Sequence, residues 1–284
     1  MTGFEITGAS AADMDMIRSW ADEEGWNPGA SDRFAFAVAD PAGFLVGRIG
    51  GAPVACISAV RYGSGFGFIG FYIARPAVRG RGLGIRLWRA GMDRLDGRLV
   101  GLDGVVAQQD NYRKSGFRRA WNNVRHEGVP QGPAAAGADD GFEVVDAATL
   151  PFSLLAAYDR RFFPEPRDAF LSAWTGLPGR TALAAVRDGR IEGLGVIRPC
   201  SGASRIGPLY AANPAVARTL VRLLAGYAPG GRVAVDAPDA NPAATALLTG
   251  LGLVPVFEAA RMYTGPAPEV ELSGIYGVTS LELG

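Results

Sequence analysis

Two short stretches of this 284-residue chain carry residue types at spacings that could do chemistry. The first is Arg79-Gly80-Arg81-Gly82-Leu83-Gly84-Ile85. It lies between an aromatic, apolar run, Phe66 to Ile73, and a segment with Leu83, Leu87, Trp88, Met92 and Leu95 on one helical stripe. Pro76 closes the apolar run as a strand, because proline has no N–H for a ladder. Glycines let a backbone approach a ligand closely. The free N–H groups and positive dipole end of a helix start favour a phosphate or pyrophosphate there. A P-loop is excluded, since Gly-Lys-Ser/Thr is absent. In a G-x-G-x-x-G fingerprint starting at Gly80 the third glycine falls at Ile85, yet Asp103 lies about 20 residues on, where a ribose-binding acid is wanted. A dinucleotide reading is weakened, not removed. The second stretch is Tyr112-Arg113-Lys114-Ser115-Gly116-Phe117.

Arg79-x-x-Gly82-x-Gly84 after a strand and a proline resembles the acetyl-CoA signature of the GNAT superfamily of N-acetyltransferases, R/Q-x-x-G-x-G/A. Tyr112-x-x-x-Gly116-Phe117 is similar to the segment that carries the general acid in many of its members. The resemblance implies that residues Arg79 to Ile85 hold the pyrophosphate of acetyl-CoA. Phe71, Tyr72 and Ile73 would line the pantetheine and thioester, with a backbone N–H near Tyr72 or Ile73 polarising the carbonyl. Tyr112 would protonate the leaving thiolate. A phenol of pKa about 10 stays protonated at neutral pH and can donate to a thiolate whose conjugate acid lies near 8.5. Transfer would be direct, with no acyl-enzyme and no metal. The acceptor amine must lose a proton, and Glu24, beside Glu23 in the loop after the first helix, is the carboxylate to test. Trp26 and Asp32 are read as an acceptor pocket, through cation–π contact and charge pairing.

These groups need a scaffold, and the length suits two medium domains. Basic and acidic residues balance at 28 each, so no overall field attracts nucleic acid or an anionic membrane. Two cysteines, Cys56 and Cys200, and one histidine argue against a zinc site or a disulfide framework. No leader pattern or membrane-spanning run is apparent, which makes cytoplasmic the expectation. Phe4 to Thr7 reads as a strand, and Ser10 as the N-cap of a helix carrying Met14, Ile17 and Trp20. Residues 34–60 read as strands joined by turns at Asp40–Gly43 and Gly50-Gly51. Gly97 reads as the C′ glycine of the helix that follows the loop, and Leu99 to Val106 as a second buried strand.

The second half repeats the first. Phe4-Glu5-Ile6 recurs as Phe142-Glu143-Val144, Ile69-Gly70 as Ile206-Gly207, Leu102-Asp103 as Val235-Asp236, and Gly116-Phe117 as Gly252-Leu253. Where the first copy has its glycine loop the second has Ala217 to Arg222, and Leu248 stands at the position of Tyr112. With Glu24–Gly29, Ile69–Tyr72 and Gly101–Val105, the tandem pattern resembles a bacterial two-lobed GNAT subfamily with a degenerate second lobe. The expected fold is therefore α/β, a mixed α+β sheet in two tandem GNAT folds. Residues 1–128 form the catalytic domain, 129–140 a Gly/Pro/Ala linker and 141–284 the degenerate domain. His126 is expected at a surface or strand edge. Asp236, Asp239 and Asn241 are polar groups an idle lobe could present to a shared cleft, and Arg261 is expected to pair with a neighbouring acid.

The function this implies is acetyl transfer from acetyl-CoA to the primary amine of a small molecule or peptide. The alternative is an acyl-CoA-binding sensor without turnover. The acceptor, the oligomeric state and the role of the second lobe are not legible.

Overall fold

A computed structural model of the chain describes residues 3–132 and 141–284. The expected linker therefore lies, from residue 133 onward, outside the described residues. The first half runs β1 (Phe4–Gly8), α1 (Ala11–Glu23), α2 (Asp32–Ala39), β2 (Phe44–Ile49), β3 (Ala52–Tyr62), β4 (Phe66–Ala74), α3 (Leu83–Arg94), β5 (Leu99–Val105), α4 (Gln109–Lys114) and β6 (Arg118–Gly128). The second half runs β7 (Glu143–Asp146), α5 (Phe152–Asp159), α6 (Asp168–Gly176), β8 (Thr181–Arg187), β9 (Arg190–Arg198), β10 (Ser204–Ala211), α7 (Pro214–Ala225), β11 (Val233–Pro238), α8 (Pro242–Gly250), β12 (Val254–Tyr263) and β13 (Ile275–Gly277). The repeats deduced from sequence fall on corresponding elements: β1 with β7, β4 with β10, β5 with β11.

All these strands join one mixed sheet in the order β1-β2-β3-β4-β5-β12-β6-β11-β10-β9-β8-β7, with β13 paired to β10. The two halves exchange strands at its centre. β12, from the second half, lies antiparallel between β5 and β6, from Ala259↔Val105 to Tyr263↔Gly101 on one side. β6, from the first half, pairs with β11 from Val233↔Gly128 to Pro238↔Asn123. A cut at residue 128 divides the chain but not its hydrogen bonds.

Helices cover both faces. Leu87, Trp88 and Leu95 of the α3 region pack on Ile57, Ala59, Ile69 and Leu102, and α7 and α8 cover the second half of the same side. On the other face α1, α2, α5 and α6 share one core, in which Phe36 of α2 stacks on Trp174 of α6 at 5.8 Å. Burial of this common apolar face is what joins the halves.

Two local readings are corrected. Residues 34–39 are helical, not extended. Their large-small alternation mimics a strand, yet Asp32, Ala35 and Phe36 are buried at helical spacing while Phe34 and Val38 stay 50% and 44% exposed. The helix α3 ends at Arg94, and Gly97 (φ +77°) lies in the turn beyond it. Ser10 does cap α1, in a box with Asp13, whose carboxylate also accepts from Arg48 at 2.7 Å.

Candidate active site

The β4–β5 ladder runs in parallel for four pairs, from Phe66↔Leu99 to Ile69↔Leu102, and then stops. Beyond that point a bulge disturbs β4. Its register against β3 slips between Cys56 and Ser58, and Phe71 takes φ +47°, a left-handed conformation that costs a non-glycine residue energy. The Cys56 thiol donates to the Phe71 carbonyl at 3.2 Å and ties the bulge to β3. Between the diverging strands lies a cleft of ≈ 590 Å³. Phe71, Tyr72, Ile73, Arg79, Gly80, Gly82, Gly84, Ile85, Glu24, Trp26 and Tyr112 all line it. Arg81 is exposed on the loop, while the Leu83 side chain is buried and contributes to the loop only through its backbone.

The loop suits a diphosphate. Gly80 and Gly82 hold φ +75° and +76°, and a Cβ on either would meet nothing within 4 Å, so their outer side is open. Gly82 is the N-cap of α3 and no side chain caps the helix, which leaves its first amides for a ligand. The second half lacks this arrangement. There Asn213 caps α7 and accepts from the amides of Ala215 and Val216, the groups an anion would need.

Deeper in, Trp88 is sandwiched between Tyr72 (5.3 Å) and Tyr112 (5.5 Å), with Phe117 behind it at 5.9 Å. Close approach is possible because β5 has glycine beneath the tyrosine: a Cβ on Gly104 would sit 2.7 Å from two Tyr112 ring carbons. Burial, with Tyr72 adding to it, pushes the Tyr112 hydroxyl well above the usual phenol range, so it stays protonated at neutral pH.

The carboxylates are held in different ways. Glu24 is exposed at the mouth and pairs with Arg79 at 2.7 Å, while Glu23 pairs with Arg75 at 2.5 Å. Asp103 faces the cleft but both its oxygens are engaged, by Arg261 at 2.8 Å twice and by Asn123 at 2.8 Å. Burial raises its pKa, against the pull of Arg261. Asp32 does not line the cleft, which corrects its reading as an acceptor-pocket residue. It is 1% exposed, pairs with Arg180 at 2.8 Å and Arg198 at 3.1 Å from the second half, and accepts from the Gly29 amide. Its charge is used to fasten the halves.

The remaining polar residues are structural. His126 is buried within β6 rather than at a surface, bonded to the Val124 carbonyl at 3.1 Å, and burial lowers its pKa. Asp239 accepts from the Asn122 amide at 2.9 Å, and Asn241 caps α8. Asp236 is buried between Arg125 and Arg205. Burial alone would raise its pKa, but the two guanidiniums outweigh that and hold it far below the carboxylate range. The second half also contributes cleft residues that motif reading missed: Phe257 and Ala259 from β12, and Leu281 and Glu282 from the final segment. Gly70 was the available signal. A Cβ there would overlap the Glu282 carbonyl, so this strand glycine marks where the segment crosses β4.

The β4–β5 fork, the uncapped glycine loop and the half-buried Tyr112 share one cleft, and the chain belongs to the GNAT family of acetyltransferases. Residues 11–117 match the acetyltransferase (GNAT) family and residues 155–277 the acetyltransferase (GNAT) domain. The chain is 32% identical over 277 residues to holothin acyltransferase of Pseudoalteromonas sp. (strain SANK 73390), covering 97% of this chain and 93% of that protein. A Pyrococcus horikoshii structure provisionally described as an acetyltransferase shares the fold over 100% of this chain and 97% of its own, with TM-score 0.83 and 23% identity. A tandem GNAT protein from the clavulanic acid biosynthesis pathway aligns over 93% of this chain and 99% of its own, with TM-score 0.61 and 16% identity. The protein is therefore an acyltransferase enzyme built from tandem GNAT folds. Among the described residues no helix is long and apolar enough to cross a membrane, and no group of three or more His, Cys, Asp or Glu is placed to hold a metal.

Proposed function

We propose that this chain transfers an acetyl group from acetyl-CoA directly to the primary amine of a small molecule or peptide, with the chemistry in the first-half cleft. The observation that carries this reading is the position of Tyr112, a half-buried phenol, protonated at neutral pH, in the same cleft as the open Gly80–Gly82 loop and the β4–β5 fork. The bound thioester supplies an electrophilic carbonyl and a thiolate leaving group. The amides at the start of α3, with Arg79 beside them, hold the diphosphate. Backbone N–H near the Phe71 bulge faces the carbonyl oxygen, and Tyr112 gives its proton to sulfur. Trp26 and Phe257 line the same cleft, and an aromatic pair there suits the acceptor. The similarity to a protein named for acylating holothin supports an acceptor of the class that holothin represents.

The test is thiol release from acetyl-CoA across an amine panel, with Tyr112→Phe alongside. We expect amine-dependent release, and a fall in kcat of about 10²- to 10⁴-fold in the variant. Tight CoA binding with no amine-dependent release would replace the enzyme reading with that of a sensor. Unchanged kcat in the variant would remove Tyr112 from the mechanism.

A further inference from the structure

The side chains of β4 change faces at its bulge. Phe66 and Phe68 belong to the core beneath α1, α2, α5 and α6, and so do Phe71 and Ile73, whereas Ile69 and Tyr72 belong to the core on the opposite face. Gly70 and Phe71 therefore follow one another on the same face. The final segment stands on that face. The Glu282 carbonyl fills the space that a Cβ on Gly70 would take, and a Cβ on Gly284 would lie 3.0 Å from Phe68 Cδ2. Hydrogen bonds pin the segment there: the Tyr62 hydroxyl donates to the Leu283 carbonyl at 3.0 Å, and the Leu283 amide donates to Ser280 Oγ at 3.0 Å. Leu281, the neighbour of Glu282, is half-buried and lines the cleft with Ile69, Leu102 and Ala259.

We propose that Leu281, supplied by the second half of the chain, closes the acyl end of the cleft and limits the transferred group to acetyl or propionyl. This rests on the reading above, in its placing of the thioester carbonyl at the bulge. Consecutive Cα atoms lie about 3.8 Å apart, so a chain whose carbonyl is held at Phe71 has room for about one or two further carbons beside Gly70 before it meets the segment. The segment cannot give way easily, since β4 lies under it and the Tyr62 bond holds it down. Ile69, Leu102 and Ala259 are fixed by the sheet, on β4, β5 and β12. Leu281 belongs to no strand, so its side chain, rather than strand spacing, sets the limit. In an apolar pocket one methylene too many changes recognition by about tenfold or more.

The experiment measures, by calorimetry, the affinity of wild type, Leu281→Ala and Leu281→Val for CoA and for two of its ketone analogues. S-(2-oxopropyl)-CoA and S-(2-oxopentyl)-CoA carry the acetyl and butyryl chains on a carbonyl that cannot release sulfur. In wild type we expect the pentyl ketone to bind at least about tenfold more weakly than the propyl ketone. In L281A the difference should shrink below about threefold, with CoA affinity unchanged, and L281V should fall between. Wild type that binds both ketones equally overturns the proposal. So does an unchanged preference in an L281A protein that still binds CoA, whether or not the KM for an amine moves. If L281A does not fold, L281V with the wild-type preference overturns it equally. Thiol release from acetyl-CoA across the amine panel is measured alongside. The expected ketone preferences without any amine-dependent release would support the acyl subsite and overturn the transferase reading, so the two failures are distinct.

Discussion

Gly104→Ala tests whether Tyr112 works through its position as well as its hydroxyl. The new Cβ would lie 2.7 Å from Tyr112 Cδ2 and Cε2 and 3.1 Å from Leu102 Cδ1. Ordinary contact begins near 3.4 Å, so the ring must give way by the difference, about 0.7 Å. It cannot retreat toward Trp88, which is wedged between Tyr72, Tyr112 and Phe117. The short helix α4 must therefore carry the phenol toward the cleft. Overpacking of this kind costs roughly 1–3 kcal/mol of stability. A displacement near 1 Å at the reacting centre can cost about 10²-fold in rate, so we expect kcat to fall between about 10- and 100-fold. CoA affinity should hold, since the loop at residues 79–85 is untouched. The assay is thiol release in a cycle with Tyr112→Phe. If Gly104 acts through the hydroxyl, adding G104A to Y112F should cost less than about threefold further. A full multiplicative loss in the Y112F background, or a normal kcat in the single variant, would refute the reasoning.

Gly82→Ala should cost about 1 kcal/mol of stability, because φ +76° is a left-handed conformation, and should weaken CoA binding by about tenfold or more as the start of α3 shifts; an unchanged CoA Kd in calorimetry would separate the loop from the diphosphate. Residues 1–128 expressed alone should not give a folded, CoA-binding domain, since β6 loses both neighbours and β5 loses β12. Co-expression with 141–284 should restore binding, and a cooperatively melting, CoA-binding 1–128 fragment would contradict this. Burial lowers the His126 pKa from 6.5 in the folded state, so the unfolded chain binds the extra proton and stability must fall as pH drops below about 6.5 toward the lowered value. In His126→Gln the slope of melting temperature against pH in that window should shrink; an unaltered slope would place the titration elsewhere.

The placement of the first-half candidates in one cleft was legible because it is local. Arg79 to Ile85 and Tyr112 lie within one strand-loop-helix-strand-helix stretch, and each is required by a rule that acts over a few residues: glycine where φ is positive, proline where a strand ends, helix stripe after it. The misread segment at residues 34–39 failed for the same reason. Its alternation is a local pattern, and the decision for a helix comes from Phe36 stacking on Trp174, far away in sequence. Asp32 failed likewise, since Arg180 and Arg198 lie well over a hundred residues on.

The back wall of the cleft could not be read from motifs at all, and strand exchange explains why. β12 is inserted beside β5, and after β13 has paired with β10 the final segment crosses β4 at Gly70. Arg125 on β6 and Asp236 on β11 then meet across the same junction. A degenerate copy that has filled its own anion site with Asn213 is thereby free to keep polar residues for its neighbour's cleft. Its loss of the glycine loop and tyrosine removes chemistry from one half only. Phe257, Ala259 and Leu281 of the second half line the cleft beside first-half residues, which is why neither half should be active when separated.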